Sequence, residues 1–159
     1  MSNFVIGRDD PRSRDVALLL EAHLEFAFEH SPRDDVHALD VEGLLAGDIS
    51  FFSVREEGRL LGTGALKRLD ATHAEIKSVH TAQAERNRGI GKAMVRHLIQ
   101  EARGRGFDRL SLETGSMEAF GPSRALYASF DFVPCPPFAD YRPSPNSTFM
   151  TLDLSRSEA

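Results

Sequence analysis

Residues 86–92 read Arg86-Asn87-Arg88-Gly89-Ile90-Gly91-Lys92, and the segments on either side make this stretch the joint between a strand and a helix. Upstream, residues 74–81 alternate: Glu75, Lys77 and Val79 fall on one face, Ile76, Ser78 and His80 on the other, the period of a β-strand. Downstream, Ile90, Met94, His97, Leu98 and Ala102 recur at helical spacing until Gly104-Arg105-Gly106 ends the run. The start of a helix offers unpaired N–H groups and a partial positive charge, and glycine lets an anion approach the backbone closely. Charge is concentrated at the same place. Residues 86–109 carry seven basic and two acidic side chains, a local +5 against −10 for the rest of the chain. The pattern predicts a site for a phosphate-bearing ligand; the plain alternative is a solvated basic helix face.

Two common phosphate motifs do not fit. A P-loop needs glycine at position 86 and Ser or Thr at 93, where the chain has Arg86 and Ala93. A dinucleotide fingerprint needs a third glycine at Met94.

Working outward, residues 49–55 and 60–67 read as strands joined across Glu56-Glu57-Gly58-Arg59, a hairpin signal, and a further turn at 70–73 leads into 74–81. Three consecutive antiparallel strands follow from this. Residues 107–114 form a strand returning after the helix, so it pairs in parallel with 74–81. Before the hairpin, residues 3–7 suggest a short strand. Asp9-Asp10-Pro11 then reads as the start of a helix carrying Val16, Leu19, Leu20, Leu24, Ala27 and Phe28 to about His30, and a shorter helix is expected at 35–46. After residue 115, Gly121-Pro122-Ser123 opens a last helix to Phe130, a Pro-rich segment spans 134–145, and Met150, Leu152 and Leu154 alternate in a final strand. The expected fold is one mixed α/β domain over 1–159: a twisted, mostly antiparallel sheet flanked by helices, with one parallel pair.

Composition supports a globular chain and narrows its partners. With 159 residues, 41% of them hydrophobic and 27% charged, the chain should bury roughly 70% of its unfolded surface. A net charge of −5 argues against a nucleic-acid partner. Cys135 is the single cysteine, which excludes an internal disulfide and a cysteine-rich metal site. No apolar run reaches the roughly 18 to 20 residues of a membrane span, and the N-terminus is charged too early for a signal peptide. The expectation is a cytoplasmic protein with no membrane or metal partner.

Arg86, Gly89 and Gly91 fill the Arg/Gln-x-x-Gly-x-Gly/Ala signature of the GNAT superfamily of N-acetyltransferases, and the order of elements resembles that family over nearly the whole chain. Ala125-Leu126-Tyr127 with Phe130-Asp131-Phe132 resembles its Leu-Tyr-x-x-x-Gly-Phe segment. Glu75-Ile76-Lys77, Leu112-Glu113-Thr114-Gly115 and Pro145-Asn146-Ser147 resemble one branch of small bacterial members. The resemblance implies acetyl-CoA as cosubstrate, its pyrophosphate on Arg86, Asn87, Arg88, Gly89, Ile90, Gly91 and Lys92, and its pantetheine arm along Val79, His80 and Thr81 where the parallel strands splay. It implies direct attack by a primary amine of a small molecule or peptide. Tyr127 would protonate the leaving thiolate, and Glu75, 11 residues before Arg86, matches the offset of a base glutamate in the histone acetyltransferase type. Glu113 competes for that role. A non-catalytic acyl-CoA-binding module, or an interaction protein dimerising through its sheet edge, is the rival reading.

The chain departs from the family pattern in three places. Thr81-Ala82-Gln83 stands for the usual Val-x-Pro, Phe120 for an asparagine that contacts pantetheine, and Asp131 for a glycine. Among the other residues, His97 falls on the buried stripe and reads as a satisfied core histidine. Cys135 lacks a neighbouring base. Arg142, held between Tyr141 and Pro143, is either a clamp for an acceptor carboxylate or a loop arginine paired with Asp140.

Overall fold

A computed structural model describes residues 3–155. Its elements in chain order are β1 (Val5–Arg8), α1 (Arg14–His30), α2 (Val41–Leu44), β2 (Ile49–Glu56), β3 (Arg59–Arg68), β4 (His73–Thr81), α3 (Ile90–Gly104), β5 (Arg109–Gly115), α4 (Gly121–Ala128), β6 (Val133–Pro134) and β7 (Ser147–Asp153). The strands form one seven-stranded sheet in the order β1-β2-β3-β4-β5-β7-β6. Every neighbour is antiparallel except β4 and β5. The β2–β3 turn is made by Glu57 and Gly58 at φ 50° and 81°, the two left-handed residues that a hairpin matched to strand twist requires.

The helices cover both faces. On one, Ile90, Met94, Val95, Leu98, Ile99 and Ala102 of α3 pack against Phe52, Val54, Leu61, Leu66, Ile76, Leu110 and Leu112; full burial of one such leucine is worth about 1.5–3 kcal/mol. The close approach of α3 depends on Gly64, where a Cβ would stand 2.5 Å from Met94 Cγ. His97 joins this layer edge-on to Phe52, but its Nε2 is buried without a hydrogen-bond partner. It is a half-buried histidine at the edge of the core, and not a satisfied one. On the other face Val16, Leu20 and Leu44 pack against Ile49, Phe51 and Ala65.

Two helix boundaries differ from the sequence expectation, and tertiary contacts explain both. Asp9 and Asp10 do not open α1. The Asp9 carboxylate instead accepts from the Ser53 hydroxyl and Arg55 Nε on the sheet, and Asp10 accepts from the Arg12 amide in a separate turn. The expected helix at 35–46 breaks into a 3-10 turn at Arg33–Asp35 and a single turn at Val41–Leu44 capped by Asp40. Between them the chain is extended, and the His37 carbonyl accepts from Lys77 Nζ at 3.0 Å instead of from a helical N–H.

β4 governs the site. It pairs with β5 only at His73↔Arg109, Ala74↔Leu110 and Glu75↔Ser111, while β5 stays paired with β7 to Gly115↔Ser147. Beyond Glu75 the parallel pair opens. A bulge then shifts the β3–β4 register from Ala65↔Lys77 to Thr63↔His80, with Ser78 at φ 55°. The bulge overturns the simple alternation for the last residues of the strand. Val79 joins Ile76 in the α3 layer, and His80 turns instead towards His23 of α1.

Candidate active site

The loop before α3 is held from below. A 3-10 turn at Gln83–Glu85 buries Glu85, whose carboxylate accepts from Arg59 and from Arg88 Nη1 at 2.9 Å. Arg88 also reaches Glu56 at 2.9 Å and lies over the Phe4 ring. These cations hold Glu85 below the usual carboxylate range, the Arg59 hydrogen bond foremost and against the opposing effect of burial. The Arg88 side chain is therefore an anchor for the loop and does not line the cleft above it. Asn87 and Gly89 adopt left-handed conformations, φ 67° and 79°. Gly89 caps α3 without a side chain, so the helix start is unobstructed. Arg86 and Lys92 have no hydrogen-bond or ion-pair partner among the described residues.

A cavity of about 790 Å³ begins at this loop and runs through the opening between β4 and β5. Arg86, Asn87, Gly89, Ile90, Gly91 and Lys92 line one end; Ser78, Val79, His80 and Thr81 form one wall, and Glu113, Thr114 and Gly115 the other. Beyond the sheet the lining continues with His23 and Phe26 of α1 and with Asp35 and His37. Tyr127 of α4 also lines the cleft. Its hydroxyl has no hydrogen-bond partner among the described residues, and burial pushes its pKa up, so at neutral pH it carries its proton.

The two candidate glutamates separate. Glu113 lines the cleft. Burial pushes its pKa up to about 7 against the pull of the Ser147 hydroxyl and the Lys77 charge, and the charges of Glu75 and Asp35 add to the rise. Glu75 does not line this cleft. It is 2% exposed, accepts from the Tyr141 hydroxyl, and lies 3.4 Å from Lys77 Nζ, which also donates to Tyr141 Oη at 2.9 Å. The structure thus brings Tyr127, Glu113 and the 86–92 loop to one cavity and places Glu75 in a buried ion pair beside a second one.

One feature of the cleft is not visible from sequence spacing. His23 and His80 meet Nδ1 to Nδ1 at 3.1 Å, with ring centroids 4.9 Å apart. Such a contact requires one ring to donate and the other to accept. Burial pushes His23 down to about 3, helped by the His80 and Lys77 charges, and His80 down to about 4, helped by Arg86. The pair is neutral near pH 7. Beside it the Ser78 hydroxyl is buried without a partner. Among the described residues no group of three or more His, Cys, Asp or Glu side chains is placed to hold a metal ion, and no helix is long and apolar enough to cross a membrane.

A cleft along the opened strand pair, with an unobstructed helix start at one end and a protonated tyrosine and a half-buried carboxyl in its lining, has the groups that a transfer reaction uses. The sequence matches the Acetyltransferase (GNAT) family over residues 16–132, and the chain belongs to that family of acyltransferases. It is 48% identical to the N-acetyltransferase YsnE of Bacillus subtilis, over 92% of this chain and 97% of that one. It is 42% identical to the N-acetyltransferase YedL of Escherichia coli over 95% of each chain. Among solved structures, the N-acetylglutamate synthase of Neisseria gonorrhoeae, complexed with coenzyme A and N-acetyl-glutamate, superimposes with a TM-score of 0.74 at 20% identity, over 98% of this chain and 36% of that one. That likeness shows the fold.

Proposed function

We propose that the protein transfers the acetyl group of acetyl-CoA to a primary amine by direct attack in a ternary complex. The observation that carries this reading is that one continuous cavity joins the 86–92 helix start, the unpaired edge of β4, Tyr127 and Glu113. The fold neighbour complexed with coenzyme A supports the choice of donor. The amides at the start of α3, with Arg86 and Lys92, bind the pyrophosphate. Beyond Glu75 the β5-facing edge of β4 has no strand partner, so its backbone groups hold the pantetheine arm, and one N–H polarises the thioester carbonyl.

Glu113 takes the base role. A lysine-like ammonium has a pKa of about 10.4, and Glu113, ionised above about 7, accepts its proton as the amine enters the desolvated cleft. The C–N bond forms as the C–S bond breaks. The nitrogen, which still carries two hydrogens, releases one to solvent as the amide forms, while Tyr127 gives its proton to the departing thiolate and is reprotonated from solvent. Glu75, whose carboxylate is already engaged by Tyr141 and Lys77, holds the sheet face together.

The test is thiol release from acetyl-CoA across a panel of amino acids, polyamines, aminoglycosides and peptide N-termini, with the acetylated product identified by mass. Amine-dependent release with one acetyl group added supports the reading. Tight acetyl-CoA binding with no release for any amine would make the chain an acyl-CoA-binding module.

A further inference from the structure

The transfer chemistry leaves a second cavity unused. It has a volume of about 610 Å³ and adjoins the cleft, since Asp35 and His37 line both. Lys67 and Glu75, opposite each other in the β3–β4 register, lie on its sheet side, and residues 139–145 form its other wall. Its charges are unevenly engaged. Glu75 is held by Tyr141 and Lys77, and Asp35 accepts from Asn146 Nδ2 at 3.0 Å. Lys67 and Arg142 have no hydrogen-bond or ion-pair partner among the described residues, and the pairing of Arg142 with Asp140 that the sequence allowed is not formed.

The backbone carrying Arg142 is pre-set. Tyr141 before it is tied to Glu75 and Lys77, and a residue preceding proline, here Pro143, is confined to extended conformations. An uncommitted guanidinium on a fixed segment, facing the same cavity as an uncommitted ammonium, suits a carboxylate, which guanidinium binds through two parallel hydrogen bonds. Asp34, Asp35 and Asp140 line this cavity too, so its charge is mixed. That favours a zwitterion over a dianion. Asp35, at the junction, is placed to attract the ammonium end towards the cleft.

We infer that this cavity anchors the acceptor, with Lys67 and Arg142 holding its carboxylate, so that the preferred acceptors are amino acids or amines of that shape. The inference rests on the transfer reading above, and the experiment separates the two. Kinetics with saturating acetyl-CoA compare each protein amino acid with its own α-carboxamide in the wild type, Arg142→Ala and Lys67→Gln. In parallel, NMR titration with the corresponding N-acetyl amino acids, without acetyl-CoA, reads carboxylate binding independently of turnover. The wild type should prefer the free acid. Each variant should raise KM for the acid by roughly 10- to 100-fold, the scale of a lost charged hydrogen bond, with kcat and acetyl-CoA affinity unchanged and the acid–amide preference erased. Transfer to amines without that preference, or variants with wild-type KM and wild-type N-acetyl amino acid binding, overturns the inference and leaves the transfer reading intact. Binding of N-acetyl amino acids that both variants lose, in a wild type that acetylates nothing, overturns the transfer reading instead. Melting temperatures of the variants check that each retains the fold.

Discussion

Acidification should destabilise this protein through His23 and His80, and the structure sets the size of the effect. An imidazole titrates near 6.5 when exposed, whereas burial holds His23 at about 3 and His80 at about 4 in the fold. Between those values and 6.5 the unfolded chain binds more protons than the folded one, so stability rises with pH and is lost as pH falls below 6.5. Each depressed group contributes about 1.4 kcal/mol per pH unit in that window. At pH 5 this amounts to about 2 kcal/mol per ring and about 4 kcal/mol for the pair, a large share of the roughly 5–15 kcal/mol that holds a typical domain together. The geometry acts in the same direction, because two imidazoliums would set N–H against N–H at the 3.1 Å contact. Urea denaturation followed by far-UV circular dichroism at pH 7, 6 and 5, in the wild type and in His23→Gln/His80→Gln, measures the difference. His37, His73 and His97 are also depressed by burial, but they titrate in both proteins and cancel. The carboxylates that their arginine partners hold low, Asp15 and Glu85 among them, lose their contribution only at lower pH. The double variant should show a visibly flatter loss of stability from pH 7 to 5. Equal slopes in the two proteins would refute the neutral buried pair.

Four further outcomes follow from the site. Tyr127→Phe should lower kcat by roughly 10²- to 10⁴-fold, the range of general acid catalysis, with acetyl-CoA affinity and melting temperature unchanged, because the hydroxyl has no structural partner; a large drop in melting temperature would make that hydroxyl structural. In the base role proposed for it Glu113 acts ionised, so kcat/KM should climb about tenfold per pH unit up to about 7 and then level, and Glu113→Gln should abolish that limb; a limb unchanged in the variant removes Glu113 from the base role. Glu75→Gln leaves Lys77 buried without its countercharge, and urea denaturation should show a loss of about 3–5 kcal/mol, whereas an unchanged midpoint would mean that the pair does not hold the fold. Gly91→Asp sets a carboxylate in the first turn of α3, where the helix end favours anions, and calorimetry should show acetyl-CoA affinity falling at least tenfold; unchanged affinity would place the pyrophosphate elsewhere.

Much of this architecture is legible in the sequence because its determinants are local. The Glu57-Gly58 turn, the apolar stripe of α3 and the glycines at its start each sit within a few residues of the structure that they specify. What the sequence hides is set by partners far along the chain. Asp9 looks like a helix start until Ser53 and Arg55 are seen to hold it. Residues 36–40 look helical until Lys77 takes the His37 carbonyl. Glu75 has the offset of a base, and only Tyr141, 66 residues away, shows that its carboxylate is engaged. The histidine pair joins residues 57 apart; no spacing rule links them.

The bulge at Ser78 shows how one misplaced residue makes the cleft. Strict alternation from Glu75 would send His80 to the α3 side and Val79 to the α1 side. The extra residue reverses both, so Val79 closes the apolar layer over α3 while His80 reaches the cleft and its partner His23. A non-glycine residue at φ 55° costs about 1–3 kcal/mol and persists only where its surroundings hold it there. Thr63 does so, donating its hydroxyl to the Ser78 carbonyl at 2.9 Å. Gly62 makes the close contact feasible, because a Cβ there would lie 2.9 Å from both the His80 carbonyl and Ile90 Cγ2. The determinants of the bulge thus lie in Gly62-Thr63 on the neighbouring strand as much as in Ser78 itself. The bulge also follows directly on the last rungs of the β4–β5 pairing, at Glu75↔Ser111. Strain, register shift and strand separation therefore coincide in the wall of the cleft, and a β4 without the bulge would exchange the faces that Val79 and His80 present.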